Sequence, residues 1–197
     1  MDTLCIGGGY NEDDSEIDLR SGQIRIHMHS HNGLAIGSFN GDALIDISDK
    51  CKLELTVSGI KVTGIGSCKG IATISSSADI AISCTGAQAV AIGSLEDGEG
   101  SIYIKSGKLM MKMRSAKNSA IGAIKGNMNT RVENADISID SEGDEITGIG
   151  DALGTGNVAI IDSAVTMKIL AANPKDIGTG SGDLKIVNST VSSLINN

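Results

Sequence analysis

Three histidines fall within the short stretch "HMHSH", as His27, His29 and His31. If Met28 points into a core along an extended strand, His27 and His29 project together from the opposite face, ~7 Å apart. Neutral imidazoles so placed could share a Zn2+ or Ni2+ ion. The competing reading is a polar outer face that happens to use histidine, and no acid lies at a spacing that would complete a site. Carboxylates gather instead in turns: "NEDDSE" at 11–16, "LEDGEG" at 95–100 and "SEGDE" at 141–145. Loop carboxylates can bind Ca2+, but no EF-hand pattern accompanies them, and solvated turns are the alternative. The four cysteines, Cys5, Cys51, Cys68 and Cys84, form no CxxC pair and no evident disulfide framework. They read as free thiols used as small hydrophobes.

The core that must position these groups has an unusual make-up. Hydrophobic residues make up 40% of the chain, yet aromatics only 2%: Phe39, Tyr10, Tyr103 and no Trp. Ordinary cores draw much of their buried area from rings, so this one is filled by Ile, Leu, Val, Met and Ala. The formal net charge of −8 argues against a nucleic-acid surface, which needs clustered Lys and Arg. No apolar run approaches the ~20 residues that span a bilayer, so no membrane insertion is expected. No signal peptide is visible. The chain starts almost inside a repeat, at Cys5, which reads as a fragment of a longer protein. Its 197 residues fit a single repeat domain over 1–197.

The repeat is the strongest signal. "LAIGS", "TGIGS" and "VAIGS" are copies of one word, and its isoleucines fall at Ile6, Ile36, Ile65, Ile92, Ile121, Ile149 and Ile177. The steps are 30, 29, 27, 29, 28 and 28 residues, the regularity of a repeat architecture. Between the words, apolar residues recur at period two: Ile17 and Leu19, then Ile24, Ile26 and Met28 in the first repeat. Ile45 and Ile47, then Leu53, Leu55 and Val57 follow in the second, and Ala72 and Ile74, then Ile80 and Ile82 in the third. Period two means strands with one buried face, and no stretch shows the helical period. A β-propeller blade needs more residues, around 40.

The spacing therefore predicts an all-β fold, a parallel β-helix (β-solenoid) of about seven coils of ~28 residues with three short strands each. The isoleucines of the repeated word should stack into one ladder, with the following glycine turning a corner at positive φ. The small residues before it, Ala35, Gly64, Ala91, Ala120 and Gly148, predict a crowded wall. The tail "VSSLINN" is expected to fold over the last coil. The start shows no cap, so an end-to-end homo-oligomer is one way to cover it.

Parallel β-helices also serve as polysaccharide lyases and hydrolases, whose sites need carboxylates beside a basic group on neighbouring coils. The outward column of the middle strand is read as Asp18, Asp46, Thr73, Tyr103, Arg131, Ala159 and Lys185. Asp18 over Asp46 is its best carboxylate pair, with no basic partner within reach. The outward column of the third strand is read as Arg25, Glu54, Ala81, Met110, Ser138 and Thr166. Neither column repeats a chemistry, so no enzyme and no catalytic residue is expected.

"CIGGGYN" at 5–11 resembles the Gly-rich "AGIGGG"-type repeats of large bacterial surface proteins, many from Gram-positive gut anaerobes. Later copies drift to Gly37–Ser38, Gly66–Ser67 and Gly93–Ser94, and the family's second "GG" survives partly as Ser21–Gly22 and Ser106–Gly107. The resemblance implies a right-handed, single-stranded β-helix without catalysis, a spacer or adhesion module at the cell surface, with a protein or glycan partner. A carbohydrate- or Ca2+-binding module is the second reading. The third is a ligand-sensing or oligomerising domain of an intracellular regulator. Free cysteines and no visible signal peptide favour that one, so a cytoplasmic location stays open beside an extracellular one.

Overall fold

The computed structural model describes residues 2–8, 14–151 and 153–196, with the Asp97 side chain set aside. Tyr10 and the acidic residues 11–13 lie outside the described residues. The fold is all β: parallel strands stack as a solenoid of about seven turns with ~28-residue spacing. Each turn visits three faces. The first face begins with Asp2–Gly8 and Asn32–Ser38, the second with Ser15–Leu19 and Ala43–Ile47, and the third with Gly22–His29 and Cys51–Ser58. Among the described residues no helix is long and apolar enough to cross a membrane.

The strands are less separate than the spacing suggests. From the third coil on, some corners are rounded within a single strand, and the strand Asp79–Ile104 runs through all three faces. Its neighbours in the stack keep pairing around the bend, so the corner donors and acceptors stay satisfied.

The isoleucine ladder forms as expected. Ile6 pairs with Ile36, Ile36 with Ile65, and the register continues through Ile92, Ile121 and Ile149 to Ile177. The five inner rungs are fully buried, and Ile6 and Ile177 at the two ends are partly so. The glycine after each isoleucine is required rather than tolerated. Gly93 has φ of 136°, and a Cβ there would lie 1.9 Å from the carbonyl oxygen of Gly122 on the next coil. The wall before the isoleucines is crowded too: a Cβ at Gly64 would lie 2.5 Å from the Ala91 oxygen.

Two expectations need correction. The outward column of the second face passes from Asp46 to Ser75 and then Tyr103, not through Thr73. Ala72 sits on Ala43 and Ile74 on Ile45, which leaves Ser76, only 1% exposed, in the slot between Ile47 and Ile104. A buried serine in an apolar slot hid the register. The tail is no lid: Thr190–Asn196 pairs in parallel with 164–170 and is a rung of the last coil. The inward residues Leu184 and Ile186 of that coil are 49% and 45% exposed.

A second apolar layer lies outside the first face. Leu34, Phe39 and Cys68 are buried together, with Leu4 packed against them. Phe39 folds back over an outward position that the alternation alone would leave wet.

Candidate functional site: outer columns and two grooves

His27 and His29 both stand exposed on the third face, where Met28 between them is buried. Nδ1 of His29 lies 2.9 Å from Ser58 Oγ on the next coil, and His27 sits beside Thr56. Among the described residues no three His, Cys, Asp or Glu side chains are grouped to hold a metal. In the second and third acidic turns Glu96, Glu142 and Glu145 face cations. Glu96 is paired with Lys61 and lies 3.8 Å from Lys69, Glu142 is 3.3 Å from Arg114, and Glu145 is 2.9 Å from Lys117. Of the first turn, residues 11–13 lie outside the described residues, and Asp14 Oδ1 accepts the Asp42 N–H at 3.0 Å.

Asp18 and Asp46 are adjacent rungs, as their column predicts. Their basic partner does exist: Arg20 pairs with Asp18 and reaches within 4.0 Å of Asp46, while Ser75 Oγ donates to Asp46 at 2.8 Å. Arg20 is 74% exposed at its side chain, so this is a solvated network, worth little in stability. Columns followed only across coils miss Arg20, which lies two residues after Asp18, just past the end of its strand.

The same oversight hid a tighter group further along the second face. Lys105 lies just past the end of the strand that carries Tyr103, and Arg131 and Glu133 share the strand of the next coil. The Tyr103 hydroxyl donates to one oxygen of Glu133, and Arg131 donates to the other. Lys105 Nζ and Arg131 Cζ each lie 5.7 Å from the centre of the Tyr103 ring, within cation–π range. The Tyr103 hydrogen bond, with Arg131 behind it, holds the Glu133 carboxyl below its usual range. The same bond pushes the Tyr103 hydroxyl up.

Two grooves open on the outer faces. The larger, about 1080 Å3, lies along the first face, between Leu95, Ile124 and Leu153 on one side and Lys117, Glu145 and Glu96 on the other. It exists because the outer layer thins: behind Ile124 and Leu153 the wall residues are small, Ser119 and Thr147, and Leu153 is 76% exposed. The smaller, about 460 Å3, lies on the second face and is lined by Tyr103, Asn129, Arg131, Asn157, Asp183 and Lys185. There Asn129 Oδ1 accepts both the backbone N–H and the side-chain amide of Asn157 at 3.1 Å, and Asn157 Oδ1 accepts Asp183 N–H at 2.9 Å.

The buried ionisable groups are structural in geometry. Asp151 follows the corner glycine of its coil, in the column of Ser94 and Ala123. Its two oxygens accept the backbone N–H groups of Ala123 at 2.9 Å and Met128 at 2.6 Å. It supplies the acceptor that Ala123, a residue without one, cannot. Burial pushes its carboxyl up to about 6, against the pull of those two bonds and of Lys175. The cysteines are all free: Cys51, Cys68 and Cys84 are buried and Cys5 is exposed. Burial pushes the Cys68 thiol up to about 11 and the Cys84 thiol up to about 12. Compared with known proteins, the chain is matched by no family model, no curated protein and no solved structure.

Proposed function

We propose that this solenoid is a non-catalytic structural and interaction module, a rigid spacer that presents its outer faces to partners, within a larger bacterial surface protein. One observation carries this reading. The inward column of the first face is isoleucine on every coil from Ile6 to Ile177. The outward column of the third face mixes chemistries, passing from charged Arg25 and Glu54 to apolar Ala81 and Met110 and then to the hydroxyls of Ser138 and Thr166. The constraint lies on stacking and the freedom on display, which suits a scaffold better than a catalyst. The surface location draws its support from the resemblance of "CIGGGYN" alone.

Cys5 is the one exposed cysteine, so a fluorophore there and a second at a C-terminal tag would measure end-to-end distance. A rigid spacer gives one narrow transfer efficiency that persists until cooperative unfolding in denaturant. A broad native distribution, or release of reducing ends from a panel of polysaccharides, overturns the reading.

A further inference from the structure

We propose that the smaller groove, on the second face, binds an acidic saccharide. The inference rests on the reading of the solenoid as a non-catalytic interaction module and assigns that module a ligand class.

The outward column of this face reverses charge along the axis. It is acidic at Asp18 and Asp46, and basic at Arg131 and Lys185. In a chain of net charge −8, cations gather where an open groove of about 460 Å3 lies. Lys185 has no ion-pair partner among the described residues, and no hydrogen bond there engages the Asn129 side-chain N–H groups. The groove therefore holds a cation for a carboxylate and an amide donor for a hydroxyl. It also holds the Asp183 carboxylate as an acceptor for hydroxyls. The Tyr103 ring, with the Arg131 guanidinium over it, forms part of the wall.

The mixture selects the class. A compact dianion such as phosphate would meet the Asp183 carboxylate at close range. A neutral sugar would leave Lys185 unanswered. A uronate-type sugar matches both, and rungs ~4.8 Å apart present Asn129, Asn157 and Asp183 at a repeat close to that of one pyranose in a chain. The larger groove on the first face fits less well, because its Lys117–Glu145 and Lys61–Glu96 pairs already answer one another.

Titration calorimetry with trigalacturonate as the probe tests this, with maltotriose as neutral counterpart and inorganic phosphate as competitor. Saturable binding of trigalacturonate is expected, weakening with salt, and lost at least about tenfold in Lys185→Ala, as for one charge-assisted bond. Asn129→Ala should weaken it too, and a thermal melt of each variant checks the fold. Should Lys185→Ala unfold, Lys185→Gln stands in for it. No saturable binding by folded protein overturns the proposal. So does unchanged binding by both folded variants, equal binding of maltotriose, or displacement by equimolar phosphate. Binding accompanied by new reducing ends would keep the site and overturn the non-catalytic reading instead.

Discussion

The glycine ladder offers the sharpest test of the stacking argument, because one of its members lacks the contact that the others share. Gly93 and Gly178 both hold strongly positive φ, 136° and 126°. A Cβ at Gly93 would lie 1.9 Å from the Gly122 oxygen and 2.8 Å from its carbonyl carbon, whereas a Cβ at Gly178 meets nothing within 4 Å. Gly178→Ala thus pays only backbone strain, about 2 kcal/mol. Gly93→Ala adds a backbone collision that only a shift of the next coil can relieve. That shift loosens the pairing of Ile92 with Ile121 and of Gly93 with Gly122, two ladder steps at about 1 kcal/mol per hydrogen bond, together with part of the buried isoleucine contact. The total is about 5 kcal/mol. At 2–4 °C per kcal/mol for a chain of this size, far-UV circular dichroism melts should fall by roughly 4–8 °C for Gly178→Ala and roughly 10–20 °C for Gly93→Ala. Should the two variants melt within about 2 °C of each other, the carbonyl contact is not what demands glycine, and φ alone would explain the column.

Four further outcomes follow from the same geometry. Ile92→Ala, at a fully buried rung, should lose about 2–5 kcal/mol in chemical denaturation, while Met110→Ala, half exposed on the third face, should stay within about 0.5 kcal/mol. Asp151 has a folded carboxyl near 6 against an ordinary value of 3.8, so the stability it contributes is fully present below about pH 4 and is lost as pH rises through about 6. Relative to wild type, Asp151→Asn should therefore gain about 2.4 kcal/mol between pH 4 and pH 7; a flat difference would refute the burial argument. Thiol alkylation followed by mass spectrometry should modify Cys5 alone in the native protein, and rapid native modification of Cys84 would contradict its burial. Thr130 Oγ1 is buried without a partner, so Thr130→Val should raise the denaturation midpoint by the equivalent of about 1–2 kcal/mol.

What was legible in the sequence was whatever the stack constrains. Ile36, Ile65 and Ile92 occupy identical surroundings, so the same residue recurs at the coil length and betrays the architecture. Where a polar residue entered an inward slot, as Ser76 did between Ile47 and Ile104, the period-two signal slipped by two residues and misplaced Thr73. The outer layer of Leu34 and Phe39 was invisible for a related reason: its burial depends on a loop folding back, which no periodicity encodes. The Asp18–Arg20–Asp46 network and the Tyr103–Arg131–Glu133 group combine neighbours across coils with neighbours two apart along the chain. Reading charged residues at period two, as was done for apolar ones, would have found both.

The position of the second-face groove carries one more consequence. A solenoid's stability is close to a sum of coil terms and nearest-neighbour interfaces, so a defect in one coil weakens the stack locally. The inward column Ile17, Ile45, Ile74, Ile102 is broken at Thr130 before Val158 resumes it. Thr130 adjoins Arg131 and itself lines the groove. An isosteric valine would fit the slot without an orphaned hydroxyl, so the threonine is a local penalty placed beneath the surface where cations, amides and the tyrosine converge. Elements that respond to ligands are drawn from the less stable parts of a fold. By that reasoning one of the weakened interior rungs lies beneath the surface that a ligand would meet. A bound saccharide bridging Asn129, Asn157 and Asp183 would clamp together the coils on either side of the Thr130–Val158 interface.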